Sequence, residues 1–126
     1  MTRLTRRRLP IDLYNRCVTF LWGTVEQINA QLKRECPRDF EPLRTSCRGH
    51  WKSYLHRGYE NDFICIVKVG AREDQLIILA HEALHCASHA LRMAGLAHTE
   101  ETEEAYTYYQ QYLMRMCAQH LREHRR

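Results

Sequence analysis

The sequence predicts an α+β domain in which a small sheet lies on helices. Three observations predict it. Residues 63 to 69 (FICIVKV) form an apolar, β-branched run bounded by turn chemistry, which reads as a strand. Thr24 followed by Gln27 is a capping-box signature that opens a helix. Between Glu73 and Met93, apolar residues recur at helical spacing, and Gly95 stands where such a helix would end.

The elements follow in chain order. Residues 1 to 10 are expected to form a basic N-terminal arm with Arg3, Arg6, Arg7 and Arg8, solvated and frayed, and residues 11 to 126 one domain. Residues 14 to 22 (YNRCVTFLW) are rich in β-branched and aromatic types and predict a strand. The helix opened by Thr24 should run to about Glu35, with Val25, Ile28, Ala30 and Leu32 as its apolar positions. Cys36-Pro37 stops it, because proline disfavours helical backbone in the residue before it. Residues 37 to 46 read as irregular, and 47 to 55 as a strand. Residues 56 to 62 (HRGYEND) read as a turn that makes 47–55 and 63–69 a hairpin.

After Gly70 comes the long helix. Glu73 and Asp74 favour its positive end, and Leu76, Ala80, Ala83, Leu84, Ala87, Leu91 and Ala94 are its expected buried stripe. Thr99 is the expected N-cap of a last helix running from about Glu100 to about Leu121. No repeat or low-complexity tract interrupts this order.

Composition narrows the functional classes. A chain of 126 residues can build its own core, with 44% hydrophobic and 27% charged residues. The net charge of +4 is concentrated in the arginines at the two ends, with no nucleic-acid-binding motif beside them, so a nucleic-acid partner is not expected. No run reaches membrane-span length. The six cysteines include no CxxC pair, and no apolar signal segment opens the chain. Reduced thiols in a cytoplasmic protein are therefore expected, with Cys65, Cys86 and Cys117 as small core residues.

The chemistry is concentrated in His81-Glu82-Ala83-Leu84-His85, an HExxH motif. On a helix, residues four apart stack on one face, so two imidazoles can converge on one ion. Zinc takes neutral imidazole nitrogens and prefers four ligands. Glu82, on the flank of that face, can act on a water as general base. A third ligand has to come from downstream, where His89, His98, Glu100, Glu101, Glu103 and Glu104 are the candidates. Glu104 lies 19 positions after His85, where an antiparallel following helix would face the histidines.

The stretches HEALH and EETEEAYTYYQQYL, within residues 73 to 114, resemble the gluzincin class of zinc peptidases. More closely they are similar to small HExxH proteins of bacteriophages and prophages assigned as metallopeptidases. The resemblance implies a minimal zincin-like domain: a small sheet packed on the HExxH helix and an antiparallel helix after it. It implies one Zn2+ per chain held by His81, His85 and Glu104, the last because its Glu-Ala pair matches the class pattern. Glu100, Glu101 and Glu103 stay open for that role. Tyr108 stands where larger members place an orienting acid, and Tyr108 or Glu101 would orient a ligand. Leu91 occupies the position of a third metzincin histidine.

The implied activity is hydrolysis of a peptide or related amide bond in a peptide or protein substrate, with Glu82 catalytic. The expected location is the cytoplasm, that of the host if phage-encoded. The strand at 63 to 69 is expected to flank the cleft. Because the chain is short for a peptidase, a homodimer or a protein partner is expected to complete that cleft. The competing expectation is a zinc-stabilised interaction protein with little or no catalysis. Tyr106, Tyr109 and Tyr112 are expected in the core or an interface.

Overall fold

The computed structural model describes residues 3–9, 16–56 and 59–123. It is an α+β fold with a four-stranded mixed sheet and three helices. The elements are β1 (Thr5–Arg8), β2 (Arg16–Gly23), α1 (Val25–Glu35), β3 (Gly49–His56), β4 (Tyr59–Val67), α2 (Arg72–Met93) and α3 (Glu103–Glu123). The strand order is β1-β2-β4-β3. β2 and β4 run parallel, with Phe20 opposite Ile64, and the outer strands pair antiparallel. A parallel pair needs a long crossover, and α1 lies within it.

The central strands are buried on both faces, which explains why β2 and the second half of β4 are apolar without alternation. Val18, Phe20, Trp22, Ile64 and Ile66 face a core shared with α2 and α3. Leu21, Phe63, Cys65 and Val67 face Val25, Ile28 and Leu32 of α1. Two buried charges sit within this sheet. Arg16 donates from Nε to Asp62 Oδ2 at 2.7 Å and from Nη2 to Asp62 Oδ1 at 2.8 Å, tying the start of β2 to β4.

The capping box forms as expected: Thr24 Oγ1 accepts from Gln27 N at 3.1 Å, and Gln27 Oε1 accepts from Thr24 N at 3.0 Å. Helix α1 ends at Glu35, but Ala30 is exposed rather than apolar packing. Cys65, Cys86 and Cys117 are buried and, like the other three cysteines, free. Tyr106 and Tyr109 are core residues, and Tyr112 packs against the same core.

Several expectations are corrected. The supposed arm contains β1, an edge strand pinned to β2 and anchored by Arg6, which donates to the Glu35 carboxylate at 2.6 Å. Its TRRR sequence hides a strand because an edge strand needs backbone pairing more than apolar side chains. The expected turn at 56–62 is shorter, since β4 begins at Tyr59, and the strand expected to Val69 ends at Val67. Residues 14 and 15 of the expected first strand lie outside the described residues.

Helix α2 has nearly the expected bounds, and Gly95 adopts φ +88 just past its end. Its buried face is rotated from the expected one. Gln75, Leu79, Glu82, Cys86 and Ala90 join Ala83, Ala87 and Leu91 inside, while Leu84 is 43% exposed and Ala94 is exposed. The cause is that α2 packs against α3 and against both β3 and β4, which brings the Glu82 flank inward and turns Leu84 out.

Helix α3 starts at Glu103, later than expected, and Thr99 is not its cap. Thr102 directly precedes it. The Thr102 carbonyl accepts from Ala105 N at 3.0 Å, and its hydroxyl donates to the Ala97 carbonyl and accepts from Thr99 N at 2.9 Å. α3 then runs back along α2, where Gln110 Nε2 donates to the Ala80 carbonyl at 3.1 Å. Among the described residues no helix is long and apolar enough to cross a membrane.

Candidate metal centre

His81 and His85 lie on the exposed face of α2, one turn apart. Their Nε2 atoms are 3.2 Å apart and their rings meet edge to face at 77°. Two imidazole nitrogens on one tetrahedral zinc, each at 2.0–2.1 Å, would be separated by about 3.3 Å. The separation in the structure is that of a chelating pair, and it also suits a hydrogen bond between two neutral imidazoles.

The third member is Glu82. Donor atoms of His81, Glu82 and His85 all lie within 4.8 Å of one another, and no other histidine, cysteine, aspartate or glutamate among the described residues joins them. Glu82 is only 8% exposed. Burial raises its carboxyl above the ordinary carboxylate range, against the opposing pull of His81 and His85. Its neighbour is the start of β3. A Cβ on Gly49 would stand 2.3 Å from Ile78 Cγ2, 3.2 Å from Glu82 Cγ and 3.3 Å from Glu82 Oε2. Only glycine lets the β3 backbone come this close to the helix.

Trp51, two residues along β3, supports the pair from the side. Its ring stacks with His85 at 6.3 Å and contacts His89 at 5.0 Å between centroids. His89 thus packs on Trp51, and β3 is the sheet edge beside the histidines. The strand expected to flank them, residues 63 to 69, belongs to β4, an interior strand between β2 and β3.

The downstream candidates stand apart from this group. Glu104 is exposed in the first turn of α3, where its carbonyl accepts from Thr107 Oγ1 at 3.0 Å. Because α3 starts at Glu103, Glu104 is the second residue of the helix. Glu100, Glu101 and Glu103 are exposed too. Glu101 is held below the ordinary carboxylate range by its own backbone N–H and by Thr99. Tyr108 is 65% exposed. His98 stacks on Tyr106 at 4.3 Å, in the loop before α3. Sequence reading missed Gly49 and Trp51. The glycine opening a strand was the one available signal for the first, since such glycines mark close backbone approach; Trp51 carried none.

The donor set fits a borderline metal such as zinc. Two imidazoles preset at chelating distance, with a nearby buried carboxylate, are the ligand types zinc accepts. No protein-family model, curated protein or solved structure matches the chain.

Proposed function

We propose that this protein is a zinc-dependent hydrolase that cleaves a peptide or related amide bond. The observation that carries the proposal is the 3.2 Å separation of the His81 and His85 Nε2 atoms beside the Glu82 carboxylate. In this reading His81 and His85 hold the metal, and Glu104, which stands apart from them in the metal-free chain, closes on it from the first turn of α3 as third ligand, with Glu103 in that turn and Glu100 and Glu101 just before it as the alternatives. The resemblance of HEALH and its following glutamates to gluzincins, and to the small phage and prophage members, supports the same assignment. Zinc held there supplies Lewis acidity and an acidified water.

The chain's own residues do the rest. Glu82, kept basic enough by burial, accepts the proton of the attacking water and returns it to the departing nitrogen. Trp51 and Gly49 hold the flank of α2 on which Glu82 and His85 sit. The test is peptide hydrolysis by the zinc-loaded chain and by Glu82→Gln. The proposal expects activity in the parent, and loss of it in Glu82→Gln with zinc retained. An inactive parent that binds one zinc would refute the hydrolase reading.

One observation favours a second reading. Glu82 already lies with the two histidines, so three donors come from one turn of one helix without α3. That arrangement suits a zinc-stabilised interaction protein in which Glu82 is a ligand. Glu82→Gln then weakens zinc binding itself, an outcome opposite to that for a general base.

A further inference from the structure

Helix α1 covers the sheet face opposite α2, and a hollow of about 360 Å³ opens at its C-terminal end. The segment from Glu35 to Asp39 forms one wall, and Tyr54 and Leu55 of β3 form the other. Tyr54 turns toward α1, whereas Trp51, three residues earlier on the same strand, turns toward α2. The sheet therefore separates this hollow from the histidine pair.

Tyr54 forms the floor. It is only 4% exposed, and its hydroxyl meets no hydrogen-bond partner among the described residues. That hydroxyl is not sealed within the protein, and its outlet is the hollow that Tyr54 lines. It offers a ligand one donor and two acceptor sites. The rim is open, because Pro37, Arg38, Asp39 and Leu55 are all exposed.

Charge selects the ligand. Glu35 is committed: its carboxylate accepts from Arg6 Nε at 3.0 Å, Arg6 Nη2 at 2.6 Å and Gln31 Nε2 at 2.8 Å. Asp39 forms no ion pair among the described residues, even with its neighbour Arg38. Arg38 brings one positive charge to the lining, against two carboxylates and the negative end of the α1 dipole. Lys52, 5.6 Å from the Tyr54 ring centroid, is paired with Glu41 at 3.7 Å. The carboxylates prevail at both walls. Burial, then Glu35 and Asp39, push the Cys36 thiol up; burial, then nearby thiols, Asp39 and Glu41, push the Tyr54 hydroxyl up. A site with this field favours a cation, and a volume above roughly 300 Å³ suits a small organic molecule.

We propose that the hollow binds a small organic ammonium, which donates to the Asp39 carboxylate and the Tyr54 hydroxyl and lays its apolar body along Pro37 and Leu55. The site is independent of the histidine pair and of any hydrolytic activity.

The experiment titrates the full chain with phenethylammonium chloride and follows the backbone amides of Cys36, Arg38, Asp39 and Leu55 by NMR. Sodium 3-phenylpropionate, an anion of similar shape, is the competing probe, and Asp39→Asn and Tyr54→Phe are the variants. Tyr54→Phe removes only a hydroxyl without a partner, so the fold should tolerate it. The expected result is a saturable shift with the ammonium, weakened about fivefold or more in each variant, as loss of one hydrogen bond to a charged group implies. The anion should give no saturable shift. Three results would overturn the proposal: no saturable shift in the parent, undiminished binding in either variant, or the anion binding as tightly as the ammonium.

Discussion

Gly49 stands against Glu82 so closely that a single added carbon would meet both the Glu82 side chain, at 3.2 Å, and Ile78, at 2.3 Å. The start of β3 is therefore a wall that fixes one flank of the HExxH helix. Gly49→Ala must turn the Ile78 side chain, push α2 away or bend β3. Overpacking of this kind costs about 1–3 kcal/mol. Urea denaturation should show that loss, and zinc affinity should fall with it because His81 and His85 ride on the displaced helix. Unchanged stability would mean that the wall is not as close as described.

Trp51 makes metal binding visible. Its ring lies 6.3 Å from that of His85, whereas Trp22 meets Gln75, in the first turn of α2, and Lys68. Zinc should change the tryptophan emission of the parent and leave that of Trp51→Phe unaltered. A zinc-dependent change of equal size in Trp51→Phe would place the metal elsewhere.

Much of this frame was legible beforehand. The capping box at Thr24 and Gln27, the apolar run around Ile64 and the Gly95 stop are local signals, and each marks its element. β1 was not legible because its arginines carry no strand pattern; pairing with β2 makes it a strand. The rotation of α2 was not legible either. Leu84 and Glu82 exchange their expected environments because of what packs beside the helix, which periodicity alone does not report. For the site, the motif marked His81, Glu82 and His85, whose donor atoms one helix brings together, while the position of Glu104 depended on where α3 begins.

The buried pair of Arg16 and Asp62 gives a stability prediction. Arg16→Met leaves the Asp62 carboxylate buried without its partner, which should cost about 3–5 kcal/mol. The double variant Arg16→Met with Asp62→Leu should recover much of the loss, because an apolar pair carries no unpaired charge. Chemical denaturation of the three chains decides it; equal loss in single and double variants would contradict the account.

Cys36 gives a pH prediction. Burial, then the nearby Glu35 and Asp39 carboxylates, push its thiol up to about 11. The thiolate is the reactive form, so alkylation of Cys36 by iodoacetamide should be slow at pH 8 and accelerate as the pH approaches 11. Mass spectrometry of the modified peptide follows it. Rapid modification at pH 8 would contradict the environment described.

Acid should weaken the tie between β1 and α1. Burial opposes it, but the hydrogen bonds from Arg6 and Gln31 hold the Glu35 carboxyl below its ordinary value. A carboxyl lowered on folding contributes stability at neutral pH, and that contribution is lost as the pH falls through the folded value. Glu35→Gln should therefore flatten the acid limb of the stability curve.

The central claim is that His81 and His85 form a metal-chelating pair, and metal content tests it most directly. Elemental analysis of the purified chain, after reconstitution with zinc and removal of excess, should find about one zinc per chain, with the metal lost in His85→Ala. Loss in Glu104→Gln as well would assign the third ligand to α3, and retention there would move it to another donor. No zinc in the parent, or zinc retained undiminished in His85→Ala, would contradict the account and leave the 3.2 Å contact as a hydrogen bond between two surface histidines.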